Sequence, residues 1–565
     1  MSGRAAAAAL AALLGTLAAA AAGAGAARAD EPKKLAVTFD LDGYYRTRAY
    51  YIHNLFPRDS AVGEATRDTS FLVHRLRLEP IVRISSMVVL HVQMDALDGA
   101  LWGENAGLNS VALFATDTSV TPRAGVDFAT GAAFIPSLLV KRAWLEVALP
   151  VGTLRVGRMP SNWGMGLLAN GGDGFDDDFG ENHGGSTNDR ILFATKPFSL
   201  AKTILGADKT DHPFTIAYAY DKISTTPLDV AGDEDPLSRA ASSAWLDRRR
   251  DEDGDGREGE DPIDQLDNDG DGLTDEDPPG SDDVNEHVFV AIWNQPNAWI
   301  VSRDDDLKLG TYIVYRTQQT TESKVLIVDL YGKLLIGPWY AEGEWLTIRG
   351  ATKAIPLGVR AKKARIYGGV GRVGWLGKRF HVIAEAGFAS GDDEIQDETF
   401  TRRPLHSDYN VGLLLYEEVL AEGTARYWGP NSRGLWSNGG VYSSFYFFPR
   451  VRVFPIGGEN LRLIAGVLTA FGNKPECATI YDADDVCRIA NPTPPPPSVL
   501  DLQRKHPYLG TEIDVAVKYA WWEDHLEATL ELGYLFMGPG LLNESGMTGL
   551  PMTAWTLQSR LSFVF

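Results

Sequence analysis

The sequence predicts an all-β fold, a transmembrane antiparallel β-barrel of about 18 strands, within a range of about 16 to 20. Three observations lead to this prediction. Apolar and polar residues alternate along many segments, which is the period of a β-strand. The connections between these segments also alternate, with the long ones in odd positions. Finally, the chain ends on LQSRLSFVF, in which Leu557, Leu561, Phe563 and Phe565 share one face of an extended strand.

The start of the chain predicts export across a membrane. Arg4 precedes an Ala-rich apolar run, and Ala27-Arg28-Ala29 fits a cleavage site, so residues 1–29 are expected to be a signal peptide. The Ala run could also be a membrane anchor. No run of about 18 apolar residues follows, so no membrane helix is expected after the leader. A closed barrel also satisfies every backbone group in lipid, and we expect it to span 30–565.

The strands are expected in a regular order along the chain. They are predicted at 36–53, 70–83, 86–96, 137–149, 153–159, 189–197, 213–223, 285–295, 306–317, 324–334, 338–349, 363–376, 379–390, 438–454, 460–471, 508–521, 525–538 and 552–565. Long loops are predicted at 54–69, 97–136, 160–188, 224–284, 391–437 and 472–507. Outer-membrane barrels have long extracellular loops and short periplasmic turns, whereas a β-sandwich has no reason to sort its loops in this way.

Charged residues fall on the polar face of these strands, which in a barrel faces the lumen. Arg binds carboxylates and phosphates through paired hydrogen bonds, so this face predicts a path for anionic or polyhydroxylated solutes. A ladder of Arg–acid pairs that supports the wall is an equally good interpretation. The predicted lumen residues are Arg46, Arg48, Arg75, Arg77, Arg83, Arg142, Glu146, Arg155, Arg372, Arg450 and Arg452, accompanied by acids such as Glu342, Glu344, Glu385, Glu512 and Asp514.

The net charge of −22 is concentrated in one short insert. Between Asp247 and Asp283 the chain has 17 acidic and 4 basic residues, inside the predicted loop 224–284. Two copies of D-x-D-G-D-G place carboxylates at alternate positions before a Gly turn, and Ca²⁺ prefers such flexible oxygen ligands. A solvated acidic loop is the alternative. The predicted calcium ligands are Asp251, Asp253, Asp255, Asp267, Asp269, Asp271 and Asp275.

Two other loops carry distinctive residues. WGMGLLANGGDGFDDDFGENHGG follows the fifth strand, and a flexible surface loop is the preferred interpretation. A constriction inside the pore, or a cation site at Asp176, Asp177 and Asp178, are the alternatives. Cys477 and Cys487 bracket a short polar loop, which in an oxidising compartment predicts a disulfide, with two free thiols as the alternative.

Catalysis and nucleic-acid binding have little support in the sequence. The 10 His are scattered, and neither G-x-S-x-G nor H-E-x-x-H occurs. His91 shares a strand face with Gln93 and Asp95, but a catalytic role would need a Ser nearby. The acidic charge balance disfavours a nucleic-acid partner. The chain is therefore not expected to be an enzyme.

Several short segments resemble a known family. HRLRLEP, RAWLEV, LRVGR, NWGMG, FASGDD and DYNVGLLLYEE are similar to the porin-like barrels of Gram-negative bacteria, especially the alginate-export type. The resemblance implies a monomeric barrel of about 18 strands in which lumen Arg and acidic residues guide an anionic polymer. Arg75, Arg77, Arg142 and Arg155 lie in the matching segments.

Two further resemblances concern the end of the chain and the insert. Leu561, Phe563 and Phe565 resemble the C-terminal signal that the barrel assembly machinery reads. The acidic insert resembles the short calcium repeats of thrombospondin type 3 and dockerin modules, and implies a structural Ca²⁺.

These features predict an outer-membrane porin or exporter that passes small or polymeric hydrophilic solutes through a charged lumen. Its expected partners are outer-membrane lipid, lipopolysaccharide, the assembly machinery, and a hydrophilic solute or polysaccharide. The alternative is a barrel closed by its own loops that displays the insert to a partner. A hydrolase with a Ser-His-Asp cluster at the membrane face is less favoured.

Overall fold

The computed structural model describes the strands and part of the loops that join them. The described residues are 37–53, 68–101, 126–127, 132–133, 138–172, 177–181, 184–206, 211–223, 284–298, 300–301, 305–318, 322–353, 362–392, 398–421, 437–474, 507–541 and 553–565. The predicted signal peptide, the predicted calcium ligands and both cysteines lie outside the described residues.

Within that part of the chain, eighteen long strands form one sheet. They are β1 Thr38–His53, β2 Asp68–Arg83, β3 Val88–Leu101, β4 Leu138–Leu149, β5 Gly152–Pro160, β6 Thr187–Thr195, β7 Phe214–Ile223, β8 Val284–Gln295, β9 Asp306–Gln318, β10 Ser323–Ile336, β11 Trp339–Thr352, β12 Lys362–Leu376, β13 Phe380–Ala389, β14 Ser444–Val453, β15 Leu461–Gly472, β16 Tyr508–Trp521, β17 Leu526–Met537 and β18 Thr553–Val564. The two-residue strand Thr399–Phe400 pairs parallel with β12, and Val126–Asp127 pairs with Ala132–Ala133.

The sheet closes on itself. Each long strand pairs antiparallel with its neighbours in the chain, and β1 pairs with both β2 and β18. The closing register sets Arg46 opposite Ser562 and Tyr50 opposite Gln558. Closure leaves no unpaired edge, as a strand-built membrane protein requires. The predicted fold class is confirmed, and every predicted strand overlaps an observed one.

The two ends of the barrel differ in the length of their connections. Most long connections lie at one end, here called the long-loop end. At the short-turn end, where β1 begins and β18 ends, most connections are tight. Some connections depart from this rule. Only four residues separate β9 from β10 at the long-loop end, whereas ten residues separate β8 from β9, and helix α1 Pro197–Ile204 lengthens the connection between β6 and β7, at the short-turn end. Among the described residues no helix is long and apolar enough to cross a membrane.

The outward face of the barrel is apolar. Aliphatic side chains such as Val515, Leu530 and Leu561 point outward with 43–50% exposure. Aromatic side chains lie toward both ends, among them Phe39, Trp339 and Phe380 at the short-turn end and Tyr315, Phe445 and Phe536 toward the long-loop end. An apolar band between two aromatic girdles is typical of a lipid-facing barrel wall.

Strict alternation breaks in β4. The register between β3 and β4 shifts at Gln93/Met94, and consequently both Lys141 and Arg142 turn inward and are buried. Simple alternation would place the Lys141 ammonium on the outward face, where a charge in lipid is costly. The β-bulge brings that ammonium into the barrel instead.

Candidate functional site

Two inward segments occupy much of the lumen. Segment A comprises residues 161–186, and segment B comprises residues 398–421 and 437–443, both within the limits of the described residues. Segment A touches opposite sides of the wall, because Trp163 stacks on Tyr312 of β9 while Glu181 pairs with Arg46 of β1. The two segments therefore narrow the lumen between its two ends.

The first part of segment A is held by two carboxyl groups of the wall. The Trp163 indole N–H donates to Asp329 Oδ1 of β10 at 3.1 Å. The backbone N–H groups of Met165 and Leu167 donate to Glu344 of β11, the second at 3.2 Å. The described residues of this stretch lie inside the barrel, where wall carboxyl groups accept hydrogen bonds from its irregular backbone. The prediction of a surface loop is therefore wrong for these residues.

The second part of segment A is held by arginines. Glu181, which is fully buried, contacts Arg46 and Arg48 of β1 and Arg560 of β18, the last two at 3.4 Å. Three guanidinium groups around one carboxylate give strong charge-assisted pairing in a buried site. Gly180 N also donates to Glu531 Oε1 of β17 at 3.1 Å.

The neighbouring acids Asp177 and Asp178 have opposite environments. Asp178 contacts Arg450, at 3.2 Å, and Arg452. Burial acts to raise the pKa of Asp178, but the Arg452 and Arg450 guanidinium groups outweigh it and lower the pKa. Burial raises the pKa of Asp177, which accepts a hydrogen bond from Asn410 Nδ2 at 2.9 Å. Arginines thus occupy the side of Asp178 that a cation would need, and no metal-holding group of three or more His, Cys, Asp or Glu occurs among the described residues.

Segment B is apolar and fully buried at its centre. Leu413, Leu414, Leu415 and Tyr416 have at most 1% exposure and pack with the inward apolar residues of the wall. The three Leu backbone N–H groups all donate to the carboxylate of Glu512, at 2.6, 2.8 and 2.7 Å. The segment then continues into a short π-helix, Leu415–Leu420.

A Ser-His-Asp cluster joins the two segments. Ser186 Oγ lies 2.8 Å from His406 Nε2, and the Asp408 carboxylate accepts from Gly185 N at 2.6 Å. The Asp408 backbone N–H donates to His406 Nδ1 at 3.1 Å, so Nδ1 is the accepting nitrogen and Nε2–H donates to Ser186. Asp408 Oδ2 also lies 3.7 Å from His406 Nδ1. The cluster therefore connects segment A to segment B.

A small cavity, here called the eyelet, remains between the segments and the wall. Its volume is about 10 Å³, room for about one water molecule. Arg48, Tyr50 and Gln558 line it from the wall, and Gly180, Glu181, Asn410, Leu413, Glu417 and Glu418 line it from the segments. The basic side chain of Arg48 on the wall thus lies across this cavity from the acidic side chains of the segments.

The first group of predicted lumen residues is buried beneath the segments. It comprises Arg46, Arg48, Arg75, Arg77, Arg142 and Arg450. Arg77 makes two hydrogen bonds to Asp95, at 2.7 and 2.8 Å, and Arg142 donates to the Gly171 carbonyl at 2.6 Å. Such pairs stabilise the wall and the segments, as the ladder interpretation expects.

The second group lies toward the short-turn end and is more exposed. It comprises Arg83, Glu146, Arg155, Arg372 and Arg452. The Arg83 and Asp40 side chains are both 51% exposed and 3.1 Å apart, and Arg155 pairs with Glu146 at 2.7 Å. These residues line a vestibule of mixed charge on the short-turn side of the eyelet.

Sequence reasoning did not select Glu181, Arg560, Lys141 or Asp408. Two of them carried a signal. Arg560 lies on the polar face of the final strand, and Glu181 lies in the Gly-rich stretch that was expected at the surface. The inward position of Lys141 depends on a bulge that alternation does not reveal.

The predicted assembly residues complete the wall. Leu561 and Phe563 point outward with 50% and 43% exposure. Phe565 extends the pairing of β18, since its backbone N–H donates to the Gly43 carbonyl at 3.0 Å. The terminal residues are therefore an integral part of the closing seam.

Comparison with known proteins gives likeness at the level of structure alone. No protein-family model matches the sequence, and no curated protein matches it. A BenF-like porin from Pseudomonas fluorescens Pf-5 has a TM-score of 0.47 and 9% identity, covering 93% of this chain and 98% of that one. Pseudomonas aeruginosa OccK9 (OpdG) has a TM-score of 0.46 and 12% identity, and Acinetobacter baumannii OccAB2 has a TM-score of 0.45 and 8% identity. Both comparisons cover 93% of this chain and 98% of the other. Likeness at this level carries no argument about function.

Proposed function

We propose that this chain is an outer-membrane channel through which small hydrophilic solutes diffuse passively. The observation that carries the proposal is the eyelet, a small cavity between Arg48 of the wall and acidic side chains of the segments, inside a closed barrel with an apolar outer face. Solutes would enter the charged vestibule and pass the eyelet when segment B moves aside. No covalent step is involved.

The charges at the eyelet suggest which solutes pass. Arg48 lies on the wall, with Glu417 and Glu418 on segment B. Opposite charges across a narrow, poorly hydrated passage orient dipolar solutes and favour anionic or polyhydroxylated groups on the Arg side. A polymer needs a continuous wide passage, whereas the segments leave about 10 Å³ at this point. We therefore favour small solutes over polysaccharide export.

Single-channel recording in a planar bilayer tests the channel proposal. The refolded barrel should give small discrete conductance steps, and the double variant Glu417→Gln, Glu418→Gln should shift the reversal potential toward anion selectivity. Glu523→Gln, at an exposed turn of the short-turn end, is the matched control and should leave the reversal potential unchanged. If the protein is shown to be folded but gives no conductance, the result would favour the alternative of a barrel that is closed by its own loops and displays the insert to a partner.

We further propose that the insert binds structural Ca²⁺ through the Asp residues of its two repeats. The support is the spacing of carboxylates and Gly in the sequence. Calorimetric titration of the refolded chain should detect Ca²⁺ binding, which Asp269→Asn with Asp271→Asn should weaken. Asp282→Asn, an acid outside the repeats, is the control. Equal binding by all three proteins would contradict a specific site.

Two further proposals concern export and folding. Cys477 and Cys487 should form a disulfide, so thiol titration of unfolded chain should detect free thiols only after reduction. The chain should reach the outer membrane through its leader and the assembly machinery, in contact with lipid and lipopolysaccharide. Replacing Phe565 should slow assembly in cells, measured as the fraction of folded barrel.

A further inference from the structure

The Glu512 carboxylate determines the position of segment B. Glu512 lies on the inward face of β16 and is fully buried. It accepts three hydrogen bonds from consecutive backbone N–H groups, those of Leu413, Leu414 and Leu415. Successive amides that converge on one group favour an anion, so these three amides favour the ionised form of Glu512. Leu413 also lines the eyelet, so this contact fixes one side of the passage.

A second carboxyl group lies against the first. Asp514 is the next inward residue of β16, is fully buried, and its side chain is in hydrogen-bond contact with Glu512. Among the described residues, no N–H or hydroxyl group donates a hydrogen bond to either Asp514 oxygen. Two ionised carboxylates that are buried and in contact repel each other strongly, and the usual solution is one shared proton.

The other groups that face the pair do not neutralise it. From β17 the charged neighbour is Glu531, which already accepts from Gly180 and faces Arg48 at 3.6 Å. From β14 the charged neighbour is Arg450, which pairs with Glu385 at 2.6 Å. Gly533 of β17 and the backbone of segment B also lie close to the pair.

We propose that Asp514 carries a proton, donates it in a hydrogen bond to Glu512, and thereby holds segment B in the closed position. Loss of this proton at alkaline pH places two negative charges side by side, and the repulsion displaces Glu512 from the three amides. Segment B then moves and the eyelet widens. The consequence for conductance rests on the channel function proposed above, whereas the movement of segment B does not.

The first test compares conductance as a function of pH for wild type and Asp514→Asn. The amide has nearly the same size and can donate an N–H to Glu512, but it cannot ionise. Wild-type open occupancy should rise above neutral pH by up to about tenfold per pH unit, the limit for one linked proton. Asp514→Asn should stay closed and nearly pH-independent. Asp524→Asn, at the exposed turn between β16 and β17, should keep the wild-type profile.

The second test follows segment B without using conductance. Val411→Cys places a thiol of similar size at a fully buried position of segment B, in a chain with Cys477 and Cys487 replaced by Ser. The maleimide labelling rate is compared with and without Asp514→Asn at each pH, so that the ionisation of the thiol cancels. The labelling rate of the protein that keeps Asp514, divided by the rate of the protein with Asp514→Asn, should rise with pH.

The two readouts separate the two proposals. A rising labelling ratio without conductance supports the proton and contradicts the channel. Conductance that is equally pH-independent in wild type and Asp514→Asn, with a flat labelling ratio, overturns the proton and leaves the channel in place. The melting temperature of each variant shows that it has folded.

Discussion

Segments A and B lie in the same lumen but are held by different chemistry. The second part of segment A depends on ion pairs, with Glu181 among three arginines and Asp178 between two. Segment B depends on packed Leu side chains and on one carboxylate, that of Glu512. Irregular backbone is tolerated at membrane depth only when it is buried in protein and its polar groups are paired. Ion pairs meet this requirement for the second part of segment A, and packed Leu side chains together with the Glu512 carboxylate meet it for segment B.

The largest expected effect is the loss of the charge at the centre of segment A. Glu181→Ala leaves Arg46, Arg48 and Arg560 buried around an empty position, and removing one partner of a buried ion pair costs about 3–5 kcal/mol. Urea unfolding of the refolded barrel should detect a decrease of this size in the free energy of unfolding.

A matched control uses the same substitution in an exposed pair. Glu322, which pairs with Lys353, is 64% exposed, and exposed pairs contribute about 0–1 kcal/mol. Glu322→Ala should therefore unfold at nearly the wild-type urea concentration. If both variants unfolded alike, segment A would not depend on its buried charges.

The second-largest expected loss in the free energy of unfolding concerns segment B, which depends on apolar packing. Leu414→Ala removes a fully buried side chain and should lower the free energy of unfolding by about 2–5 kcal/mol, independently of salt. Leu530→Ala, on the outward face and 49% exposed, is the control because lipid fills the space that it leaves. A strong salt dependence of the Leu414→Ala effect would contradict the apolar interpretation of segment B.

This comparison also shows what alternation can and cannot predict. The alternation of Phe39 and Leu41 with Arg46 and Arg48 correctly predicted both faces of β1, because lipid and lumen each select one kind of side chain. The positions of the eighteen strands followed from the same rule. Alternation fails where a bulge adds a residue, as at Lys141.

The inward segments could not be predicted in this way. A Gly-rich acidic stretch is typical of a surface loop, and nothing local shows that Glu181 meets Arg560, which is far along the chain. The predicted strand 438–454 includes residues 438–443, yet these residues belong to segment B, and the strand begins at Ser444. Contacts between distant parts of the chain decide these positions, and a single sequence does not contain that information.

A smaller effect distinguishes two adjacent acids within segment A. Asp178→Asn keeps the size of the side chain but removes the charge that faces Arg450 and Arg452, and should cost about 1.5–3 kcal/mol. Asp177→Asn should cost less, because burial already raises the pKa of Asp177 and disfavours its charge. Urea unfolding at neutral pH compares the two variants. Equal losses would contradict the opposite environments of these acids.

The smallest effect concerns the contact between the segments. His406 donates its backbone N–H to the Leu167 carbonyl at 2.8 Å, and its imidazole contacts Ser186. Burial lowers the pKa of His406 below its ordinary value of 6.5. The unfolded chain therefore binds the proton more readily, and this contribution to stability is complete above pH 6.5 and is lost as the pH falls below it.

Urea unfolding between about pH 5 and 8 measures this loss, whose slope is at most about 1.4 kcal/mol per pH unit for one proton. His406→Gln keeps an N–H donor for Ser186 but does not titrate, so its stability should change less over this range. His525→Gln, at an exposed turn, should keep the wild-type slope. If the free energy of unfolding of His406→Gln kept the wild-type slope against pH, the contact between segments A and B would not depend on the charge of this residue. The wall would then hold the two segments separately.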